Sequence, residues 1–359
     1  MNTWRLLDPG PLPAWRQMAL DAVVIRARAE HRVPDTIRFM EFEPHAALLG
    51  YHQALDLEVY ADVCADLGVE VNRRITGGGA IYMDSRQLGW EICLSSQSST
   101  LPAEPMQIYQ KFASVVVETL AHFGIEAAFR PVNDVEVCGR KISGTGGTQW
   151  GDAWIYQGTL LIDFDVDTML RVLRLPIEKL TDKEVSSFRQ RTVTVRELLR
   201  GAVPPISEVK AVMVNALQKV LGVQVQPATL TPGEQEEWVR TQDDYRHMEW
   251  INRRRPPALG QDVLVGATKA QGGLLKASLV VDKGAQRIRR AFLSGDFFVY
   301  PERAVMDMEA SLKEAPADPR LLRLLVQDHY EKGNRYVGVE IEDWMRVFEL
   351  ALSQQHASV

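Results

Sequence analysis

Two arginines stand just ahead of three consecutive glycines in the stretch Arg73-Arg74-Ile75-Thr76-Gly77-Gly78-Gly79-Ala80-Ile81-Tyr82-Met83-Asp84. Glycine loses more backbone entropy on folding than any other residue, so a run of three calls for a turn at positive φ or for a ligand that approaches bare backbone. Guanidinium forks bind carboxylate or phosphate oxygens in pairs, and successive free N–H groups in a glycine turn form an anion-binding concavity. A hairpin turn between two strands accounts for the same glycines. This segment alone leaves the two readings level.

A second stretch, Asn133-Asp134-Val135-Glu136-Val137-Cys138-Gly139-Arg140-Lys141-Ile142-Ser143-Gly144-Thr145-Gly146-Gly147-Thr148, separates them. R-R-x-T-G-G-G-A followed by N-D-x-x-V-x-G-R-K-I-S-G resembles the lipoate-protein ligase A family, within the biotin and lipoate ligase superfamily. Leu49-Gly50-Tyr51-His52-Gln53 resembles the family's G-x-x-Q element. Gly158-Thr159-Leu160-Leu161 and the segment from Lys179 to Thr194 resemble its later segments. Neither glycine stretch is a G-x-G-x-x-G before a long helix or a Walker A loop, so a nucleotide site of those kinds is not indicated.

The resemblance implies an ATP-dependent ligase that joins lipoate to the α-phosphate of ATP, forming lipoyl-AMP. The acyl group would then pass to a lysine of a lipoyl carrier domain or a glycine-cleavage H-like protein. Both steps build up negative charge, and fixed donors aimed at such charge are usually the largest catalytic term. Lys141 matches the residue expected to carry it, between the acyl carbonyl and the α-phosphate; outside the motif an exposed lysine is an ordinary surface residue. Of Arg73 and Arg74, one is expected to hold phosphate and the other to brace the turn through an acid. Gly77, Gly78, Gly79 and Ala80 would let backbone approach the ligand, and Asn133, Ser143, Gly144, Thr145 and Gly158 complete the expected binding set. Thr76 and Ser143 offer hydroxyl donors, although hydroxyls in turns often bond nearby backbone. Asp134 has three readings: a Mg²⁺ ligand, a guide for the incoming lysine, or a turn cap.

Two departures bear on this carry-over. Met83 stands where the family often has histidine, and Gly146-Gly147 follow Thr145 where a small residue such as alanine is usual. The extra glycines predict a roomier, more flexible loop after Lys141. Two rival functions remain. One is an octanoyl or lipoyl transferase of the same fold that works through a cysteine nucleophile without ATP. The other is a non-catalytic lipoate-binding protein.

The elements that position these residues read as α+β: mostly antiparallel sheets flanked by helices, with a small C-terminal α+β accessory domain. Residues 1–250 form the expected catalytic domain and 260–359 the accessory one. A helix from about Ala14 to Glu30 and another from Pro105 to Phe123 have apolar residues at helical spacing. Thr36 to Phe42 and Ala46 to Gly50 read as paired strands, the first half exposed, and Glu58 to Leu67 as one helix. The strand Val69 to Arg74 delivers the arginines to the glycine turn. From Thr231 to Gly260, ending in Arg253-Arg254-Arg255-Pro256-Pro257, the composition reads as linker after a polar helix. Beyond it, Ser294-Gly295-Asp296-Phe297-Phe298 resembles the family's accessory domain.

At 359 residues, 46% hydrophobic and 25% charged, the chain has the balance of a soluble globular protein. Its formal charge of -6 lacks the basic footprint of a nucleic-acid binder. Cys64, Cys93 and Cys138 are widely spaced, with no C-x-x-C pair, which indicates neither a disulfide framework nor a structural zinc site and points to the cytoplasm. No signal peptide or membrane anchor is read. The seven histidines are scattered, and His52 is of interest only for its place beside the G-x-x-Q element.

Overall fold

The computed structural model describes residues 2–102, 104–174, 189–258 and 263–354. Most of the segment from Lys179 to Thr194 and the expected boundary near Gly260 lie outside the described residues.

The fold is α+β, with sheets flanked by helices. Among the described residues the largest sheet has nine strands, in the order Gln224–Pro227, Thr3–Leu7, Thr36–Phe42, Gln87–Ser95, Ala153–Leu161, Arg140–Trp150, Asp134–Val137, Ala128–Arg130, with Pro11–Leu12 added beside Thr36–Phe42. The strands from Thr36–Phe42 through Ala128–Arg130 pair antiparallel, as short hairpin connections allow, and Thr3–Leu7 pairs parallel with both of its neighbours.

Helices cover both faces. Helix Pro105–His122 follows a proline at its first turn and buries Ile108, Phe112, Val115, Val116 and Leu120 against Trp90, Ile92 and Tyr156 of the sheet. Helix Ala14–Ala29 buries Met18, Val23, Val24 and Ile25 on the opposite side, with Met40 and Ile155. Thr36–Phe42 is therefore buried along nearly its whole length rather than half exposed, because helices lie on both sides of it.

Ala46–Leu49 does not pair with Thr36–Phe42. It forms the centre of a separate mixed sheet, parallel to Glu70–Arg73 and antiparallel to Ile81–Met83. This small sheet holds both ends of the glycine turn. The expected helix 58–67 is two short helices, Leu55–Glu58 and Ala61–Asp66, interrupted where Val59 bridges to Leu173.

The stretch read as linker is ordered structure. Helix Pro232–Thr241 starts with a capping box between Thr231 and Glu234, and Trp238 packs with the core under Ala14–Ala29. Glu234 also receives a forked pair from the buried Arg5, which explains so polar a helix docking there.

The C-terminal strands Val263–Ala270, Gly273–Asp282 and Arg287–Gly295 form an antiparallel sheet covered by helices Ala304–Leu312, Pro319–Glu331 and Ile341–Ser353. Its core runs from Leu264 to Leu352 and centres on Trp344, Phe348 and Phe297. Three residues of this unit, Phe298, Tyr300 and Val337, belong instead to the core of the large sheet.

Candidate active site

Lys141 is the second residue of the long strand Arg140–Trp150, and Asp134 opens its hairpin partner Asp134–Val137. The two-residue connection Cys138-Gly139 has φ of 49° and 76°, the doubly left-handed turn that matches strand twist. Lys141 Nζ lies 2.6 Å from Asp134 Oδ1, with the lysine side chain 40% and the carboxylate 22% exposed. The ammonium lies across the backbone of Gly144, where a Cβ would come within 2.7 Å of Nζ. Asp134 thus takes a partner that none of its three expected roles named. Asn133 braces the same corner: its Nδ2 donates to Thr145 O at 2.6 Å, while Thr145 N and Oγ1 donate to Asn133 O, each at 2.8 Å.

The arginines before the glycine turn have all their donors turned inward. Arg73, fully buried, donates through Nη1 to the carbonyls of Gly50, Tyr51 and Gln53, and through Nε and Nη2 to Ile251 O. Burial, with Arg253 and Arg254 nearby, lowers its pKa to about 9, which leaves it charged at neutral pH. Arg74 donates to Leu48 O, Gly77 O, Gly79 O and Thr76 Oγ1. The bracing expected through an acid is made instead through carbonyls and one hydroxyl, because the glycine turn and the loops packed on it leave backbone oxygens without strand partners. Arg73 ties the G-x-x-Q loop to helix Met248–Ile251, and Arg74 shapes the turn itself.

Below the turn lies a buried polar cluster. Thr76 Oγ1 donates to Gln157 Oε1 at 3.1 Å, and Gln157 Nε2 donates to Asp21 and Glu91 at 2.8 and 2.9 Å. Arg38 bonds Asp21, Glu91 and Gln17. Burial pushes the Asp21 carboxyl up to about 7, against the pull of Arg38. None of Asp21, Arg38, Glu91 or Gln157 was singled out from sequence. The signal available was a set of charged residues inside otherwise apolar helix and strand patterns, which is costly unless they meet one another.

The two departures have structural reasons. Met83 is a buried core residue at the end of Ile81–Met83, so it presents nothing to a ligand. Gly146 and Gly147 lie within strand Arg140–Trp150, opposite Gln157 and Tyr156, and form no flexible loop. A Cβ on Gly146 would stand 2.6 Å from Phe298 Cε1, and one on Gly147 2.8 Å from Ile155 O. Gly158 is bare for a similar reason, since a Cβ there would stand 2.5 Å from the Trp90 indole. Ser143 is buried, and its Oγ has no hydrogen-bond partner among the described residues. Ala80 is half-buried at the exit of the turn.

Phe297 and Phe298, assigned from sequence to the accessory domain and not to the site, lie against the glycine turn. Gly78 N donates to Phe297 O at 3.1 Å, and a Cβ on Gly78 would stand 2.8 Å from Phe298 Cζ. Tyr300 Oη meets Tyr109 Oη at 2.6 Å. His52 stacks on Phe297 with ring centroids 5.7 Å apart, and burial holds its imidazole well below the usual range, so it is a neutral wall residue. A cavity of about 150 Å³ lies behind the turn, lined by Tyr51, Trp150, Trp250, Arg253 and Glu302 among others. Trp150 is therefore cavity wall, while Trp154 packs on Tyr300.

A sequence profile of the lipoyl protein ligase A/B catalytic domain matches residues 13–218, which span the glycine turn, Lys141 and Gly158. The chain belongs to this family. Among curated relatives, the octanoyltransferase LipM of Kyrpidia tusciae is 27% identical over 276 residues, covering 71% of this chain and all of that protein. Among solved structures, a bi-partite lipoate protein ligase from Thermoplasma acidophilum, studied with its E2 lipoyl domain, is 25% identical with a TM-score of 0.63. It covers 72% of this chain and 100% of its own. LipL1 of P. falciparum, solved with lipoate, shares the fold over 98% of this chain, with a TM-score of 0.70 and 16% identity.

The three cysteines lie in different settings. Cys64 and Cys93 are fully buried; burial pushes the first thiol up to about 11 and the second well above its usual range. Cys138 is exposed at the hairpin tip. Among the described residues no three His, Cys, Asp or Glu side chains converge on a metal position, and no helix is long and apolar enough to cross a membrane.

Proposed function

We propose that this chain is an ATP-dependent lipoate-protein ligase that acylates a lysine of a lipoyl carrier domain. The observation that carries this reading is the state of its thiols. A thioester mechanism needs a thiolate at neutral pH beside a base or a positive charge. Cys64 and Cys93 are buried and pushed upward instead, which leaves only Cys138, exposed at the hairpin tip near Arg140, among the three for a transferase.

In the proposed reaction a lipoate carboxylate oxygen attacks the α-phosphorus of ATP and pyrophosphate leaves. The acceptor lysine amine then attacks the acyl carbon, AMP departs, and the amine gives up a proton. Lys141, held by Asp134 yet 40% exposed, is the cation positioned to meet the oxygens that gain charge in both steps. The inward-turned Arg74 shapes the glycine turn, whose N–H groups, that of Gly78 now given to Phe297 O, are the donors a ligand would use. Asp134 is already paired with Lys141, so Mg²⁺ would come with the nucleotide phosphates, and no step is assigned to it.

The names of the relatives favour a second reading, octanoyl transfer from a carrier thioester through Cys138, the one exposed cysteine among the described residues. The two readings part in one assay. The purified chain is offered a lipoyl domain with either lipoate and ATP or an octanoyl carrier thioester without ATP, and the product is weighed by mass spectrometry. The ligase reading requires acylation only in the first case, unchanged in Cys138→Ala. ATP-independent transfer that Cys138→Ala abolishes would establish the second reading instead.

A further inference from the structure

The glycine turn is not open in this structure. One ring, that of Phe298, lies against glycines from two separate elements: its Cδ1, Cζ and Cε1 stand 3.4, 2.8 and 2.6 Å from Cβ positions on Gly77, Gly78 and Gly146. The residue before it supplies the polar half of the contact, since Phe297 O accepts from Gly78 N at 3.1 Å. An apolar body between two bare backbones, next to an oxygen acceptor on a turn N–H, is the pattern of contacts that a fatty acyl group with its carboxylate would make there.

We infer that the Phe297–Phe298 segment is an intramolecular stand-in for the acyl substrate, and that acyl acids must displace it to bind. The inference rests on the reading of the glycine turn as the acyl cradle. Two observations point to displacement rather than permanent packing. Three glycines facing one ring are a costly way to fill a core, because larger side chains could close the same space with less backbone entropy lost. Phe298 also comes from a unit with its own core, between Leu264 and Leu352, yet is buried in the other. Beside it the two parts of the chain also meet through Tyr300 with Tyr109, Lys276 with Glu58, the His52 ring stacked on Phe297, and the Tyr109 ring against Phe298.

A plug lowers apparent affinity by the fraction of molecules that are open, so removing it should raise affinity. A permanent wall of the site does the reverse. The test titrates octanoate into the full chain and its Phe298→Ala and Phe298→Leu variants by calorimetry, with a thermal melt for each. Hydrogen exchange is followed in peptides covering Gly77 to Gly79. The expected result is octanoate binding about tenfold tighter or more in Phe298→Ala, an intermediate gain in Phe298→Leu, and faster exchange at the glycine turn without ligand. Weaker or equal binding in both variants would overturn the inference. If octanoate bound no form of the chain, the acyl-cradle reading would fall. The inference would fall with it, whereas octanoate binding that is tight in the full chain and no tighter in the variants would overturn the inference alone.

Discussion

Lys141 and Asp134 form an ion pair of 2.6 Å across the Cys138-Gly139 hairpin, and the lysine remains 40% exposed. A half-exposed pair of this kind adds little to stability. Its consequence is positional: the carboxylate fixes where a flexible four-carbon side chain ends. Lys141→Ala should therefore leave the melting temperature nearly unchanged and slow pyrophosphate release with lipoate and ATP by about a hundred to a thousandfold. Lys141→Arg should not restore it, since a planar fork cannot replace a compact ammonium over Gly144. Wild-type turnover in Lys141→Ala would remove the residue from the chemistry, and no turnover in the unaltered chain would favour a non-catalytic binder.

Gly144 tests the same geometry from below. A Cβ there would stand 2.7 and 2.8 Å from Lys141 Nζ and Cε, the free end of a side chain that can swing aside. Gly144→Ala should thus cost little stability yet displace the ammonium by about 1 Å, a misplacement that costs roughly a hundredfold in rate. Steady-state turnover beside a thermal melt separates the two effects. A large drop in melting temperature would mean that Gly144 serves packing instead.

Much of this site was legible because its motif residues are local. Lys141, Asp134, Asn133 and Thr145 share one hairpin, and hairpin register follows from turn length. Arg73 was legible as important but not in its role, because its partners, Gly50, Tyr51, Gln53 and Ile251, lie up to 178 positions away. Sequence shows a guanidinium's demand for acceptors without showing which acceptors the fold supplies. Gly146 misled for the converse reason: a glycine facing a distant ring reads locally as a loop. The pairing of Ala46–Leu49 with Glu70–Arg73 rather than Thr36–Phe42 was likewise hidden, since buried strands carry apolar runs that fit several neighbours. The stretch before Arg253 read as linker because its helices bury Trp238, Tyr245 and Ile251 amid otherwise polar residues.

Arg73 is expected to behave as a structural residue. Its removal would leave the carbonyls of Gly50, Tyr51, Gln53 and Ile251 without this donor, and each buried polar group left unpaired costs about 1–3 kcal/mol. Arg73→Ala should lose roughly 3 kcal/mol or more in urea melts. Arg73→Lys should recover only part, because three donors on one nitrogen cannot span both groups of acceptors. A stable Arg73→Ala protein that had lost only nucleotide affinity would return Arg73 to the phosphate role.

Glu302 makes the contact between the C-terminal unit and the rest of the chain sensitive to pH. It lines the cavity with Tyr51, Trp150 and Arg253, and burial pushes its carboxyl up to about 7, opposed by Arg253 and by hydrogen bonds from Tyr51 and Thr148. With a folded value above the unfolded one of 4.5, the group contributes its full stabilisation below pH 4.5, and that contribution is lost as pH rises through about 7. Glu302→Gln mimics the protonated form and should not lose it. Melts of both proteins between pH 4.5 and 8 should therefore diverge, with the wild type falling progressively below the variant as pH rises. Other groups that titrate in this range, Asp21 among them, are common to both proteins and cancel in the difference. Parallel curves across the range would show that Glu302 is solvated and carries no such dependence, and a gap that narrows with rising pH would reverse the sign of the argument.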